Sequence, residues 1–328
     1  MTTMKDKIIK QLLASNGEAV SGQKLADEFN VSRTAIWKHM KALEEEGYSF
    51  ETIKKKGYVL TGVPNTVTAA QIKAELATRT EEFGKEIYYY DVVDSTQTVA
   101  HRLVQDGAKH GTVVISEEQT AGKGRMMRPW ESTRRKGIWM TIILRPDIPP
   151  HRAPQFTLVT AVAVVNTMKA MLNISDPKIK WPNDILINGK KCTGILTEMQ
   201  AESDVVQALL IGVGINVNQD EEDFPEELRS IATSLKIEEG EEIDRPALIA
   251  NFLYFLEHYS KMYVKHGFGR IRELWEEASC TIGQRLHVTT PREVFEGEAI
   301  GISADGVLRV QKDNGEVVEV YTADIKIL

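Results

Sequence analysis

The chain has 328 residues, of which 42% are hydrophobic and 27% charged, a composition typical of a soluble globular protein with two or three domains. No apolar run is long enough to span a bilayer, and the first ten residues lack the apolar core of a signal peptide, so we expect a cytoplasmic protein without a membrane partner. The two cysteines, Cys192 and Cys280, are too few for a disulfide framework or a zinc site, which argues against a redox or metal role for them.

The net charge of −7 is unevenly distributed along the chain. Residues 1–60 contain 10 Lys and Arg against 8 Asp and Glu, whereas the remainder contains 30 against 39. An N-terminal segment that is nearly neutral can bind DNA only if its fold clusters the cations on one face. The fold of this segment therefore decides whether nucleic acid is a candidate partner.

The N-terminal segment has the pattern of a winged helix-turn-helix domain. Apolar residues recur at helical spacing over residues 5–15, and Ser21 and Ser32 can each cap a further helix. The run SFETIKKKGYVL that follows the third helix is typical of a β-hairpin with a basic tip. We predict that residues 1–62 form a DNA-binding domain, and we expect Trp37 to be a partly buried core residue.

Cations and hydroxyl groups on the third helix and at the hairpin tip can reach bases and phosphates from a major groove. The alternative is that the helices serve only for dimerisation or domain packing, with the hairpin lysines in a solvated turn. The predicted DNA contacts are Ser32, Arg33, Thr34, Lys38, Lys41, Lys54, Lys55 and Lys56.

A short linker over residues 61–65 separates this domain from a longer region in which strand-like and helix-like segments intermix. The mixture predicts a mixed α/β domain over residues 66–278, with Asn188-Gly189 as a two-residue hairpin turn. Residues 281–328 alternate in short strands, which favours a small SH3-like barrel of five strands. The overall class is α+β. The predicted helices of the central domain lie near residues 69–78, 95–106, 151–173 and 244–264.

The sequence QTAGKGRMMRPW, Gln119 to Trp130, has the chemistry of a loop that holds an anion. Glycines allow backbone N–H groups to turn toward a ligand, and Lys123 and Arg125 supply positive charge. The loop fits neither the GxxxxGK[ST] phosphate loop nor the dinucleotide fingerprint. Taken alone, it could equally be a solvated basic surface loop.

Three further polar clusters follow predicted strands: DSTQ at residues 94–97, KWPND at residues 180–184, and KKCTGIL at residues 190–196, before the run GVGINVN at residues 212–218. Together with the glycine loop, and in this order, they resemble the biotin protein ligases, and specifically the bifunctional kind that also represses biotin genes. The resemblance covers essentially the whole chain. One departure is Lys123, which stands where the family's loop usually has arginine and so loses the bidentate fork.

The resemblance implies a central domain of the class II synthetase-like type and an ATP-dependent, AMP-forming reaction. Biotin and ATP, with Mg²⁺, would give biotinyl-5′-AMP, from which biotin passes to a lysine on the biotin carboxyl carrier domain of acetyl-CoA carboxylase or of other biotin-dependent enzymes. The acceptor supplies the nucleophile, so no Ser/His/Asp constellation is expected in this chain. The resemblance also implies operator DNA as a partner, a homodimer, and biotinyl-5′-AMP as the corepressor.

The resemblance also assigns roles to individual residues. Catalytic roles fall to Arg125, Lys180 and Lys191. Biotin contacts fall to Ser95, Thr96, Gln97, Gln119, Lys123, Gly124, Arg125 and Lys191. Contacts to ATP or the adenylate fall to Gly122, Arg128, Trp130 and Asn216. No metal ligand is identified, although Asp184 is a candidate for organising Mg²⁺.

Local structural explanations stand beside these roles, because Asp94 and Ser95 could simply cap a helix and Trp130 could be a core tryptophan. Two rival functions also remain at the level of the whole chain. One is a lipoate or octanoyl transferase-like enzyme, which would need a long apolar channel, and the other is a winged-helix transcription factor whose body senses a small molecule without catalysis.

Overall fold

The structure, a computed structural model, describes residues 4–15, 17–45, 47–173, 176–202 and 205–328. Its N-terminal part contains the predicted helices and hairpin, with Val20 pairing to Tyr58 beside the hairpin. The helices are α1 (Met4–Ala14), α2 (Gly22–Phe29) and α3 (Arg33–Glu45), and the antiparallel strands are β1 (Ser49–Ile53) and β2 (Gly57–Gly62).

Local sequence signals explain where α2 and α3 begin. The Ser21 hydroxyl accepts a hydrogen bond from the Lys24 N–H at 3.0 Å, and the Ser32 hydroxyl accepts one from the Ala35 N–H at 3.1 Å. The helices then pack around a small apolar core. Its fully buried members include Ile8, Ile9, Leu12, Leu25, Ile36, Met40 and Leu43.

Trp37 differs from the sequence-based expectation, because 52% of its surface is exposed. The inward face of α3 is filled by Ile36, Met40 and Leu43. One residue further along a helix rotates a side chain by about 100°, which carries Trp37 out of that core. The expectation of a partly buried core aromatic was wrong, and Trp37 lies on the exposed face of α3 with Arg33 and Lys41.

The central region is built on a mixed sheet. Among the described residues, seven strands form it in the order β3-β4-β5-β9-β8-β7-β6; β3 and β4 are parallel and the other neighbours are antiparallel. The strands are β3 (Ile87–Tyr90), β4 (Thr112–Ser116), β5 (Ile138–Leu144), β6 (Lys178–Lys180), β7 (Asp184–Ile187), β8 (Lys190–Glu202) and β9 (Val205–Ile215). The predicted turn joins β7 to β8, where Asn188 and Gly189 have φ of 49° and 78°.

Helices cover both faces of this sheet. Successive residues of β5 point to opposite sides, so that Ile142 and Leu144 join one core cluster and Ile143 joins another. The helices are α4 (Ala69–Leu76), α5 (Thr96–Gln105), α6 (Gln155–Met171), α7 (Leu235–Glu239), α8 (Arg245–His266) and α9 (Gly269–Ala278). Helix α5 packs on the face that contains Ile143, and α6 and α8 pack on the other. Helix α9, which the sequence analysis did not separate, follows α8 after Gly267 with a φ of 78°.

In the described part of the C-terminal region, five strands form an antiparallel sheet in the order β13-β12-β11-β10-β14. They are β10 (Arg285–Thr289), β11 (Val294–Ile302), β12 (Leu308–Gln311), β13 (Val317–Val320) and β14 (Asp324–Ile327). The number of strands agrees with the prediction of five. Closure of this sheet into an SH3-like barrel and the limits of the three domains stay predictions. Within the ranges that the structure describes, no helix is both long and apolar enough to cross a membrane.

Glu257 on α8 fixes the segment before β3. Its carboxylate accepts hydrogen bonds from the backbone N–H groups of Glu81 at 3.0 Å, Glu82 at 3.2 Å and Phe83 at 3.0 Å, and from Lys261 Nζ at 2.6 Å. Burial acts to raise the pKa of Glu257, but these hydrogen bonds outweigh it and hold the pKa below its usual range. The ionised carboxylate therefore stabilises the folded state.

A carboxylate whose pKa is lowered on folding stabilises the protein above its unfolded pKa, and this contribution is lost as the pH falls through the folded pKa. Replacing Glu257 with glutamine is therefore expected to lower the thermal unfolding midpoint at neutral pH, with a difference from wild type that narrows as the pH falls from about 5 to about 2. The exposed partner Glu81, replaced with glutamine, should change the midpoint little. A difference that is constant across this range would contradict the assignment.

Candidate active site

A cavity of about 520 Å³ opens where the glycine loop meets the start of α5, the strands β8 and β9, and the start of β14. Its size is suited to a small-molecule ligand. The predicted residues that line it are Ser95, Thr96, Gln97, Gln119, Lys123, Gly124, Arg125, Arg128, Trp130, Lys180, Lys191 and Asn216. Gly122 lies behind them, where its carbonyl accepts the Trp130 N–H at 3.0 Å and an added Cβ would lie 2.6 Å from the Trp130 carbonyl oxygen.

One side of the cavity carries uncharged hydrogen-bonding groups. Gln119 Oε1 accepts from the Thr96 N–H at 2.9 Å, and Gln119 Nε2 donates to the Ser132 hydroxyl at 3.0 Å, which fixes the direction of the amide. Ser95 caps α5 by accepting the Gln97 N–H at 3.3 Å. Cap and cavity wall are thus compatible roles for Ser95. Gln97 is buried, and among the described residues its Oε1 has no hydrogen-bond partner.

The glycine loop folds back on itself beside the cavity. The Gly124 N–H donates to the Arg128 carbonyl at 2.8 Å, and Lys123 pairs with Pro129 as an isolated bridge. Between them, Met126 and Met127 have φ of 55° and 60°, in the left-handed region, and both side chains are exposed. The loop is therefore held at its base and turns tightly at a methionine tip.

Arg125 is held by two side chains from distant segments. Its Nη2 donates to Thr322 Oγ1 at 2.9 Å and its Nη1 donates to Asn183 Oδ1 at 3.4 Å. Burial lowers the pKa of the Arg125 guanidinium, while the carboxylates of Asp184 and Asp324 act in the opposite direction. Arg125 is thus a partly desolvated cation with a fixed direction.

Lys191 and Asp184 form an ion pair at the start of β8, with Lys191 Nζ 2.7 Å from Asp184 Oδ1. The same ammonium lies 5.1 Å from the centre of the Trp130 ring. Asp184 is therefore already engaged by a cation. Among the described residues, no group of three or more His, Cys, Asp or Glu side chains is arranged to hold a metal ion.

The floor beneath Trp130 consists of two glycines that face each other across β8 and β9, Gly194 and Gly214. A Cβ added to Gly194 would lie 2.7 Å from the indole ring, and one added to Gly214 would lie 2.6 Å from it. The absence of side chains at these positions lets the ring lie against the sheet. The buried Trp130 Nε1 has no hydrogen-bond partner within the described chain.

The chain is 46% identical over 326 residues to the bifunctional ligase/repressor BirA of Bacillus spizizenii, a match that covers 99% of each protein. The chain belongs to the bifunctional ligase/repressor BirA family. Over 303 residues it is also 28% identical to the BirA of Escherichia coli K12, covering 92% of this chain and 91% of that protein.

Family profiles and a solved structure agree with this membership. Residues 89–216 match the biotin/lipoate A/B protein ligase family, residues 5–59 match an HTH domain and residues 281–328 match the biotin protein ligase C-terminal domain. The structure of the biotin protein ligase from Aquifex aeolicus in complex with biotin and ATP superposes with a TM-score of 0.65 at 26% identity, covering 74% of this chain and 100% of that one. The predictions of a biotin protein ligase and of its α+β architecture are confirmed.

In this BirA family member, the predicted DNA-contact residues are all exposed. Those of the third helix lie at its start and along the face opposite the core, and the three lysines form the tip between β1 and β2. Lys41 Nζ is paired with Glu44 at 2.6 Å, so it is partly neutralised where it stands. The remaining cations form an exposed surface suited to phosphate.

Asn216 lines the cavity, but hydrogen bonds to other residues of this chain already occupy much of the capacity of its side-chain amide. Its Nδ2 donates to the Thr233 carbonyl at 3.0 Å and its Oδ1 accepts from Gln219 Nε2 at 3.2 Å. A contact with adenine would have to use the remaining hydrogen-bonding capacity of the amide.

Sequence reasoning missed the contribution of the C-terminal region to this cavity. Besides Thr322 on Arg125, Asp324 forms an ion pair with Arg128, and Ala323 and Ile325 line the cavity. No local motif marks these residues, because the contact joins segments nearly 200 residues apart. Only the folded structure places them beside the glycine loop.

Proposed function

We propose that this chain condenses biotin with ATP to biotinyl-5′-AMP and then transfers biotin to a lysine of a partner, the biotin carboxyl carrier domain of acetyl-CoA carboxylase or of another biotin-dependent enzyme. The observation that carries the proposal is the division of one cavity into an uncharged polar wall and a cationic wall. The first contains Thr96 and Gln119, and the second contains Arg125, Lys180 and Lys191.

Biotin matches this division chemically. Its ureido group has one acceptor oxygen and two donor nitrogens, which suit the hydroxyl and amide groups around Thr96 and Gln119. Its carboxylate must approach the α-phosphate of ATP, and two anions repel each other unless cations lie between them. The directed guanidinium of Arg125 and the ammonium groups of Lys180 and Lys191 supply that charge.

In the first step, a biotin carboxylate oxygen attacks the α-phosphorus and pyrophosphate leaves. In the second, the deprotonated amine of the acceptor lysine attacks the carbonyl carbon and AMP leaves. No nucleophile of the enzyme is consumed in either step. Cys192 would be a poor one, since complete burial raises the pKa of its thiol.

The chemistry requires Mg²⁺ only as the companion of the ATP phosphates. Magnesium commonly enters nucleotide sites with phosphate oxygens and water as most of its ligands, together with one or two carboxylates. Asp184 is a candidate carboxylate on the cavity wall, which Glu131 and Asp324 also line, and it would have to share its charge with Lys191. The bound ion would help to neutralise the phosphates.

The test of the catalytic proposal is incubation of the purified protein with biotin and MgATP, followed by mass spectrometry for retained biotinyl-5′-AMP and by a pyrophosphate assay. Both products are expected. Activation of lipoate or octanoate in place of biotin would favour the lipoate-type enzyme. Binding of biotin without release of pyrophosphate would favour a sensor without catalysis.

We further propose that the winged helix binds an operator of biotin genes as a homodimer and that biotinyl-5′-AMP is the corepressor. A single domain of nearly neutral charge holds DNA weakly, whereas two copies on a palindromic site double the phosphate contacts. Sedimentation and DNA binding, each measured with and without biotin and MgATP, test this switch. Equal dimer fractions and equal affinities in the two conditions would reject it.

Replacing Lys191 with alanine is expected to raise the biotin Kd by about 10-fold, because a charge-assisted contact contributes about 1.5 kcal/mol. Isothermal calorimetry with biotin measures the change. Lys190, whose Nζ instead donates to the Arg229 carbonyl at 3.3 Å, provides the matched control and should bind biotin normally as the alanine variant. Equal affinities for the two variants would remove Lys191 from the biotin site.

Replacing Lys54, Lys55 and Lys56 together with alanine is expected to reduce the slope of log Kd against log salt by roughly 2 to 3, because each phosphate contact contributes about 0.9. Fluorescence anisotropy with a labelled duplex over a range of salt concentrations gives the slope. Three exposed lysines elsewhere, Lys169, Lys265 and Lys326, serve as the charge-matched control. An unchanged slope would mean that the hairpin tip does not contact phosphate.

A further inference from the structure

A buried ion pair lies outside the cavity and has no part in the function proposed so far. Arg245, the first residue of α8, and Glu117, the residue after β4, are both fully buried, with Arg245 Nη1 2.7 Å from Glu117 Oε2. The same nitrogen donates to the Gly137 carbonyl at 3.0 Å. Removing two charges from water is costly, and a buried pair is tolerated only where its other donors and acceptors are also satisfied.

The pair is also satisfied by Asn65, the last residue of the linker between the winged helix and the central domain, and by Val67 just after it. Asn65 Oδ1 accepts from the Arg245 backbone N–H at 3.1 Å and from Arg245 Nε at 3.3 Å, and the Asn65 carbonyl accepts from Arg245 Nη2. The Val67 N–H donates to Glu117 Oε1 at 3.0 Å. We call Asn65, Glu117 and Arg245 the linker clasp.

The linker clasp is connected to two segments that line the cavity. Glu117 lies two residues before Gln119 on the same segment. On the other side, the Ile243 carbonyl accepts from Asn65 Nδ2 at 2.8 Å and from Asn218 Nδ2 at 2.9 Å, and Asn218 lies two residues after Asn216. One short stretch of linker is thus in contact, directly or through one residue, with both cavity segments, and a shift of either on ligand binding would reach it.

We infer that Glu117 and Arg245 are positioning residues that align the biotin wall of the cavity and transmit its state to the winged helix through Asn65. The inference rests on the proposed function. The buried pair fixes the segment that carries Gln119, and Asn65 attaches the DNA-binding domain to that same pair. The affinity for biotin and the effect of biotin on DNA affinity thus both depend on the linker clasp.

The first experiment compares Glu117→Gln with Glu257→Gln in the full chain. Each variant loses a carboxylate that binds a cation and accepts from backbone N–H, one N–H group at Glu117 and three at Glu257, but Glu257 contacts neither linker nor cavity. Glu117→Gln is expected to raise the biotin KM by about 10-fold with a smaller change in kcat. The DNA is a duplex that the wild type selects from a random pool. We define the affinity ratio as the DNA affinity with biotin and MgATP divided by the DNA affinity without them, and Glu117→Gln should lower this ratio. Glu257→Gln should change only the unfolding midpoint.

The second experiment separates the linker from the cavity by comparing Asn65→Ala with Gln71→Ala. Gln71 also holds the linker, since its Nε2 donates to the Pro64 carbonyl at 2.8 Å, but its side chain forms no hydrogen bond with Arg245, Glu117 or Asn218. Asn65→Ala is expected to raise the biotin KM less than Glu117→Gln does, because the Glu117–Arg245 pair and the Asn65 carbonyl remain, while the affinity ratio falls toward 1. Gln71→Ala should keep the wild-type ratio.

An unchanged affinity ratio in Asn65→Ala overturns the inference, as does an unchanged biotin KM in a folded Glu117→Gln variant. Should Glu117→Gln fail to fold, the comparison of Asn65→Ala with Gln71→Ala decides alone. If the affinity ratio fell toward 1 in Gln71→Ala but not in Asn65→Ala, the coupling between ligand and DNA binding would be assigned to the packing of α1 on α4 instead. A wild-type protein that forms no adenylate, or whose DNA affinity ignores ligand, would reject the proposed function before any variant is made.

Discussion

Replacing Arg125 with alanine is expected to lower the rate of biotinyl-5′-AMP formation by about 10²- to 10³-fold, the usual effect of removing one directed donor from a transition state. The guanidinium is aimed by Thr322 and Asn183 and is partly withdrawn from water, so its charge is little screened. Its contacts are otherwise few, and the unfolding midpoint should change little. A pyrophosphate-release assay under saturating biotin and ATP measures the loss.

Arg134 is the appropriate control for this variant. It is an exposed arginine that pairs with Asp91 and Glu118 and does not line the cavity, so its alanine variant should retain wild-type activity. Normal adenylate yield from the Arg125 variant would exclude this residue from the chemistry and shift attention to Lys180 and Lys191.

Replacing Gly194 with alanine is expected to raise the Kd for the adenylate by about 10- to 100-fold. The new methyl group would lie 2.7 Å from the Trp130 ring, so the ring must leave the sheet and enter the space that a ligand would use. Overpacking of this kind costs about 1 to 3 kcal/mol. Equilibrium binding of biotinyl-5′-AMP, with circular dichroism as the check on folding, measures the effect.

Gly269 offers a matched glycine, because a Cβ added there would meet no atom within 4 Å and its φ is not in the left-handed region. Its alanine variant should bind the adenylate normally. Equal affinity in the Gly194 variant would mean that the indole ring does not limit the ligand space.

The parts of the fold that could be predicted from the sequence depend on contacts within a few residues. Ser21 and Ser32 act as caps within one helical turn, and Asn188-Gly189 forms a turn whose geometry those two residue types favour. Trp37 was misassigned because a single aromatic at the edge of an apolar stripe fits either face of a helix. Trp37 lies on the exposed face of α3 because Ile36, Met40 and Leu43 fill the core on the other face.

The residues that line the candidate site could be predicted from the sequence, but the contacts that hold them in place could not. Motifs placed nearly every cavity-lining cation and amide, yet nothing local indicates that Thr322 would aim Arg125 or that Asp184 would pair with Lys191. The linker clasp was likewise hidden, since Asn65, Glu117 and Arg245 are far apart in sequence and each resembles an ordinary surface residue there. Tertiary packing alone creates these contacts.

The exposed position of Trp37 also has a spectroscopic consequence. Trp139 and Trp275 are buried, with 1% and 0% of their surface exposed, so their emission should be insensitive to solvent, whereas Trp181, 3% exposed, lines the cavity. Trp37 lies in water on the outer face of α3, and Trp130 lies on the cavity wall beside the Lys191 ammonium. Indole fluorescence shifts with polarity and is changed by a nearby charge. One unlabelled chain therefore carries two optical reporters, one facing the nucleic-acid side and one facing the nucleotide side.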